Sequence, residues 1–219
     1  MIEEGRNDRF SILYEHTIDH FITIPHVVIG CGAIGGPIIR TLGQIGIKEL
    51  VLWDHDTVET VNIGPQGFAP ENVGIDKSFI RAEEFLKLSP DSDCDDHNTR
   101  FKKLSDHPSK AYWWLCVDSL RVREFIFETA LEYDPHKMID MRMGGLNYEI
   151  YNMLGKNPEE YKKTIQFARD NPVQEGCTSR STPHTAMLAA SIGINMALTK
   201  NPPYSVLGNM MDYNQEIRW

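Results

Sequence analysis

The 219-residue chain has only four cysteines, Cys31, Cys94, Cys116 and Cys177, and no two of them form a C-x-x-C pair. That spacing provides neither a disulfide framework nor a cysteine-pair metal site, so no zinc is expected. With no N-terminal signal pattern, a reducing cytoplasm is the expected compartment. No apolar run approaches the ~20 residues of a membrane-spanning helix, which argues against a membrane protein. Basic residues are also short: 22 Lys and Arg against 31 Asp and Glu leave a formal charge of −9. Such a balance disfavours a broad nucleic-acid groove. Repeats, low-complexity tracts and a clear linker are missing too. A single domain over residues 1–219 is therefore expected, and at 41% apolar and 24% charged it can bury a full core.

The most informative stretch runs from position 26 to 62, HVVIGCGAIGGPIIRTLGQIGIKELVLWDHDTVETVN. The apolar run His26 to Ile29 feeds Gly30-Cys31-Gly32-Ala33-Ile34-Gly35, a G-x-G-x-x-G pattern placed between a strand and a helix. Gly30 permits the tight turn, Gly32 lets backbone approach phosphate oxygens, and Gly35 lets the helix pack closely on the strand. The helix N-terminus then offers free N–H groups and a positive dipole end to an anion. A second strand, Leu50 to Trp53, ends at Asp54, where a carboxylate can accept hydrogen bonds from ribose hydroxyls. On these residues alone, an NAD-dependent oxidoreductase remains an alternative.

The expected elements are a helix from Asn7 to His20, strand His26 to Ile29, helix Ala33 to Ile45, strand Leu50 to Trp53 and a helix from Lys77 to Leu88. The segment Asp91 to Asn98 holds too many acids for a buried strand, and Thr99 to Lys103 is the better edge strand. These acids, with His97, read as a solvated loop rather than a metal site. Strand Tyr112 to Val117, helix Leu120 to Tyr133 and strand Lys137 to Met141 follow. Such alternation predicts an α/β fold, a Rossmann-like, mostly parallel sheet with helices on both faces. Asn147 to Tyr151 alternates like a half-exposed strand, so antiparallel strands extend the sheet. Helices are expected from Pro158 to Arg169 and, with Thr182 as N-cap and Pro183 first in the helix, towards Leu198. The tail from Tyr204 to Trp219 reads as one more strand. The expected parts are an N-terminal helix and arm (1–25), a nucleotide-binding core (26–141) and a C-terminal extension with a long crossover loop (142–219).

After Asp54 the chain continues Asp54-His55-Asp56-Thr57-Val58-Glu59, reaches Asn62 and Gln66, and then Lys77; farther on, Trp113-Trp114-Leu115-Cys116-Val117-Asp118 is followed by Arg123. This combination resembles the E1-like family, the ThiF and MoeB adenylyltransferases and the ubiquitin-activating enzymes. Their pattern after the glycine loop is D-x-D-x-V, then S-N-x-x-R-Q and a lysine, and later an aspartate ending a strand with an arginine beyond it. The resemblance spans roughly Arg9 to Leu198. It implies Mg²⁺ and ATP as cofactors, with Asp54 at the ribose, Asn62 and Lys77 at the nucleotide and its phosphates, Asp56 and Arg123 at the same site, and Asp118 on Mg²⁺. The implied reaction is adenylation of a carboxylate, that of a small ubiquitin-like or sulfur-carrier protein, by a homodimer in which Arg9 of the first helix reaches the other subunit's ATP.

Two family positions differ. Val61 replaces the serine, and Pro65 replaces the phosphate-binding arginine. Loss of one donor to developing negative charge typically costs about 10²- to 10³-fold in rate. Arg142, after the strand Lys137 to Met141, is a candidate substitute, although an ion-paired arginine is the commoner case there. By the same resemblance, Cys177 in the loop before the Pro183 helix is a candidate acceptor for a thioester or acyl-disulfide, with Arg180 favouring its thiolate and His184 a possible base. Cys31 and Cys116 read as buried small hydrophobes. A nucleotide- or partner-binding module weakened by Val61 and Pro65 is the second reading, and a tRNA-modifying relative is disfavoured by charge.

Overall fold

The computed structural model describes residues 5–14, 17–102, 108–155, 157–170 and 182–219. In chain order the elements are α1 (Asp8–Tyr14), α2 (Ile18–Thr23), β1 (His26–Ile29), α3 (Gly35–Ile45), β2 (Glu49–Trp53), α4 (Ile63–Gln66) and α5 (Lys77–Leu88). They continue with β3 (Asp93–His97), β4 (Tyr112–Leu115), α6 (Leu120–Leu131), β5 (Lys137–Gly144), β6 (Asn147–Asn152), α7 (Pro158–Asp170), α8 (Pro183–Leu198), β7 (Ser205–Asn209) and β8 (Asn214–Arg218). All eight strands form one sheet in the order β3-β2-β1-β4-β5-β6-β7-β8. The five strands from β3 to β5 pair in parallel, and β5 to β8 are antiparallel.

The strands His-Val-Val-Ile and Tyr-Trp-Trp-Leu are buried at every position. Such unbroken apolar runs are what a central parallel strand needs when both faces are covered. Successive side chains point to opposite faces, and two cores result. Val28, Leu52, Trp114 and Met141 join α2, α3, α5 and α8 on one side. Val27, Ile29, Trp113 and Met138 join α6 and α7 on the other.

The expected first helix is two helices, α1 and α2. Residues before α1 dock it, Arg6 donating to the Leu88 carbonyl (3.0 Å) and Asn7 to that of Ile45 (2.9 Å). The acid-rich segment is itself the edge strand β3, paired with β2, and Thr99 to Lys103 is not a strand as far as residue 102. An edge strand needs few buried side chains, so Asp93 and Asp95 stay exposed and the acids are tolerated. β5 runs on to Gly144, because Arg142 finds a carboxylate partner inside the fold. The tail forms two strands, not one. Helix α8 starts as expected at Pro183, but the Thr182 hydroxyl bonds Gly145 and Thr185 instead of capping the helix.

Candidate nucleotide site

The sheet order puts β1 between β2 and β4, so chain connections leave β1 and β4 in opposite directions. A crevice opens where the strand order reverses, beyond the carboxyl ends of those strands. Here that crevice is a cleft of about 1060 Å³. Its lining includes Gly30, Gly32, Asp54, Asp56, Asn62, Lys77, Asp118 and Arg123.

The glycine turn is shaped as its sequence requires. Gly30 has φ +95°, and a Cβ there would lie 2.7 Å from the Cys116 carbonyl oxygen. At Gly35 an added Cβ would run into the Gly30 carbonyl oxygen, so α3 approaches the turn only because that residue has no side chain. Asp54 braces the loop from below. One carboxylate oxygen accepts from the Cys31 backbone N–H (2.7 Å) and the other from that of Asp56 (2.9 Å). Burial pushes the Asp54 carboxyl above the ordinary carboxylate range, while the two N–H bonds and the nearby Lys77 charge pull it back. Each carboxylate oxygen keeps a second acceptor site for a ligand hydroxyl.

Lys77 is 5% exposed, and its Nζ lies 2.9 Å from Asp56. Asn62 turns its side-chain oxygen back to the Glu59 N–H (2.9 Å), leaving its amide nitrogen for the cleft it lines. Asp118 is exposed on the facing wall. Arg123 lines the cleft as well, but its guanidinium is occupied by Asp140 and by the carbonyls of Val117 and Leu115. Its structural role is to hold the end of β4 that carries Asp118.

Arg142 does not reach the cleft and does not supply the missing charge there. Its guanidinium is buried against Asp140 (2.7 Å) and Thr164 (3.0 Å) and lies over the Tyr151 ring at 4.6 Å. Two arginines that sequence reasoning missed do line the cleft, Arg100 and Arg121, both exposed. Only position could have revealed them: Arg121 follows Asp118 in the first turn of α6, and Arg100 follows β3. Val61 (70% exposed) and Pro65 also sit on the wall, so both departures from the expected pattern fall on the cleft itself.

Among the described residues, the one group spaced like metal ligands is Asp54, His55 and Asp56, whose ligand atoms lie within 4.8 Å of one another. Asp118 contributes a further carboxylate to the cleft. Cys31 is fully buried as expected, whereas Cys116 is only partly buried and borders the cleft. Burial raises the thiol pKa of both, so neither is an activated thiolate. Cys177 and Arg180 lie outside the described residues. His184 is exposed at the start of α8, and Arg9 is exposed on α1.

The sheet, with its cleft at the strand-order reversal, places the chain in the Rossmann-like, mostly parallel α/β class. The model of the ThiF family matches residues 9–212, and the chain belongs to that family. It is 35% identical over 72 residues to ubiquitin-like modifier-activating enzyme 5 of Dictyostelium discoideum, a match covering 33% of this chain and 19% of the relative. It is 33% identical over 140 residues to the adenylyltransferase and sulfurtransferase UBA4 of Yarrowia lipolytica, covering 59% of this chain and 34% of that protein. These two matches thus cover only about a fifth and a third of the relatives' lengths. Among solved structures, E. coli MccB with AMPCPP and MccA superposes at a TM-score of 0.76 with 14% identity over 99% of this chain and 71% of MccB. PaaA superposes at 0.77 with 18% identity over 99% of this chain and 82% of PaaA. Both share the fold. Among the described residues no helix is long and apolar enough to cross a membrane.

Proposed function

We propose that the protein binds ATP in this cleft and uses it to adenylate a carboxylate, that of the C-terminus of a small ubiquitin-like or sulfur-carrier protein. The observation that carries the reading is the cleft's pairing of a braced Asp54 beneath the glycine turn with Lys77 and Asp118 across it. MccB, which shares the fold, has been solved with ATP, and the UBA4 relative is an adenylyltransferase by name.

Little acid–base chemistry is needed. A carboxylate is already ionised near neutral pH. Its oxygen attacks the α-phosphorus, the bond from that phosphorus to the bridging oxygen breaks, and pyrophosphate leaves with the electron pair. The protein's task is alignment and charge neutralisation. Asp54 would accept from the ribose hydroxyls, Gly32 and the first turn of α3 would bind phosphate oxygens, and Lys77 and Asn62 would orient the triphosphate, with Asp56 holding Lys77. Arg123 would act through the Asp118 strand end. Asp118 would hold Mg²⁺, its exposed carboxylate on the cleft wall suiting a hard dication. Mg²⁺ bound there would offset triphosphate charge.

In a homodimer, Arg9 of one subunit would reach the other's nucleotide. In a second stage the Cys177 thiolate would attack the acyl carbon of the adenylate, forming a thioester as the carbon–oxygen bond to phosphate breaks and AMP leaves. The weakened-module reading is kept by Val61 and Pro65, which remove a hydroxyl and a cation from the cleft wall. It predicts ATP binding without pyrophosphate exchange.

Calorimetric titration with ATP, with and without Mg²⁺, tests the site, and ATP–pyrophosphate exchange with a candidate carrier tests the reaction. Mg²⁺-dependent binding that is lost in Asp54→Ala, together with carrier-dependent exchange, is the expected result. A folded protein with no ATP affinity would overturn the proposal and return a nicotinamide nucleotide to consideration.

A further inference from the structure

Helix α5 delivers two cations from one face. Lys77 and Arg81 are one turn apart, so their side chains leave α5 on the same side. Lys77 reaches the cleft, whereas Arg81 does not line it and is only 4% exposed. The Arg81 guanidinium lies instead behind the glycine turn. Its Nε donates to the Cys31 carbonyl (3.4 Å) and Nη2 to the Gln66 carbonyl (2.5 Å), and it covers the Phe68 ring at 4.0 Å from the centroid.

The fold makes room for this group. A Cβ at Gly36 would lie 2.7 Å from Arg81 Nη2 and 2.8 Å from the central guanidinium carbon. The glycine that follows the G-x-G-x-x-G pattern therefore has its own task, admitting a guanidinium against the first turn of α3. The two carbonyls that Arg81 holds belong to the glycine turn and to the end of α4, the segments that supply Gly30, Gly32, Pro65 and Gln66 to the cleft wall. Among the described residues its one carboxylate partner is Glu84, at 2.6 Å and 37% exposed. Solvent screens that carboxylate in part, whereas the guanidinium meets the turn inside the fold, where charge is less screened. A positive field therefore remains at the backbone N–H groups of the turn.

We propose that Arg81 is a positioning residue for the triphosphate: from behind the wall it fixes the spacing between the glycine turn and α4, and its charge acts on the phosphates through the turn in place of the cation that Pro65 withholds. The inference rests on the adenylation reading, since it needs ATP in the cleft. Arg81 touches no ligand atom, so its effect is on the affinity of the phosphate half of the nucleotide. The nucleoside half, held by Asp54, gains only from the bracing of Cys31.

Calorimetric titration with ATP and with adenosine tests it on wild type, Arg81→Met, Arg81→Lys and Glu84→Gln, because adenosine engages the Asp54 side of the site without phosphates. At an effective dielectric constant of about 20, a unit charge ~10 Å from another changes an affinity by about tenfold. Arg81→Met should therefore weaken ATP about tenfold more than adenosine, and Arg81→Lys, which keeps the charge but not the fork, should lose less. Glu84→Gln keeps an acceptor for Arg81 and removes its counter-charge, so it should tighten ATP by about threefold and leave adenosine unchanged. A purely structural role for Arg81 yields no such gain. Should Arg81→Met melt low, Arg81→Lys and Glu84→Gln decide the matter alone. Equal losses of ATP and adenosine in the Arg81 variants, or a Glu84→Gln protein that binds ATP as wild type does, overturn the proposal and leave the adenylation reading standing. A wild type without affinity for ATP overturns both.

Discussion

At the scale of single residues, the cleft holds its charges in two different conditions. Lys77 and Arg123 are cations already bound to carboxylates, which fixes their positions and lowers the net charge they present. Arg100 and Arg121 are exposed at the mouth. With proline at 65, the proposed reaction would leave these two cations to meet the departing pyrophosphate. Arg121→Gln should therefore lower pyrophosphate exchange by about 10²-fold while leaving the melting temperature unchanged. Pro65→Arg should raise exchange, since it returns a donor to the cleft wall. Equal exchange in Arg121→Gln and wild type would remove Arg121 from the mechanism. Asp54 was legible in sequence because its distance from the glycine turn is dictated by the sheet, whereas Lys77 and Asp118 were named only through the family resemblance. Arg121 was not, because one exposed arginine in a helix looks like any other until the fold shows which wall it stands on.

At the scale of elements, the union of β5, β6, α6 and α7 is built around Asp140. It is fully buried and receives Arg123, Arg142 and the Tyr161 hydroxyl (2.9 Å). Burial opposes its charge, but the two guanidiniums and the hydroxyl win and hold its carboxyl below the usual range. Breaking such a buried group by removing one charge leaves the partners uncompensated. Asp140→Asn should cost about 3–5 kcal/mol in urea denaturation. It should also weaken nucleotide binding, because Arg123 loses the anchor through which it holds the Val117 carbonyl beside Asp118. Full stability in Asp140→Asn would refute the linkage. Elements were readable where burial is two-sided, as in His26–Ile29 and Tyr112–Leu115. They were misread where charge is satisfied by tertiary partners, as at Arg142, or where solvent accepts it, as along β3 and β8, since periodicity carries little information at an edge.

At the scale of the whole molecule, acid stability should depend on His26, which opens β1 at the end of the sheet opposite the cleft. It is fully buried, stacked on Tyr112 at 4.8 Å between ring centroids, and its Nε2 lies 2.8 Å from the Phe21 carbonyl. The Trp114 indole N–H donates to its Nδ1 at 3.1 Å. An indole can only donate, so Nδ1 must accept and the neutral ring is the form that fits. Burial pulls the pKa down from 6.5 to about 3. The unfolded chain then takes up a proton near pH 6.5 that the folded chain refuses until about pH 3, so the unfolded state binds more protons across that window. The contribution is complete above pH 6.5 and is lost as pH falls, at up to about 1.4 kcal/mol per pH unit. Asp140 loses its own contribution only lower, as pH falls below the ordinary carboxylate range towards its depressed pKa. His136, whose pKa is also lowered by burial and by His20, declines in the same direction and persists in a His26 variant. Urea denaturation between pH 7 and 4.5 should therefore show a slope in wild type that is reduced, not abolished, in His26→Gln, whatever that variant's stability at neutral pH. Identical slopes in the two proteins would mean that His26 takes up its proton without leaving the core.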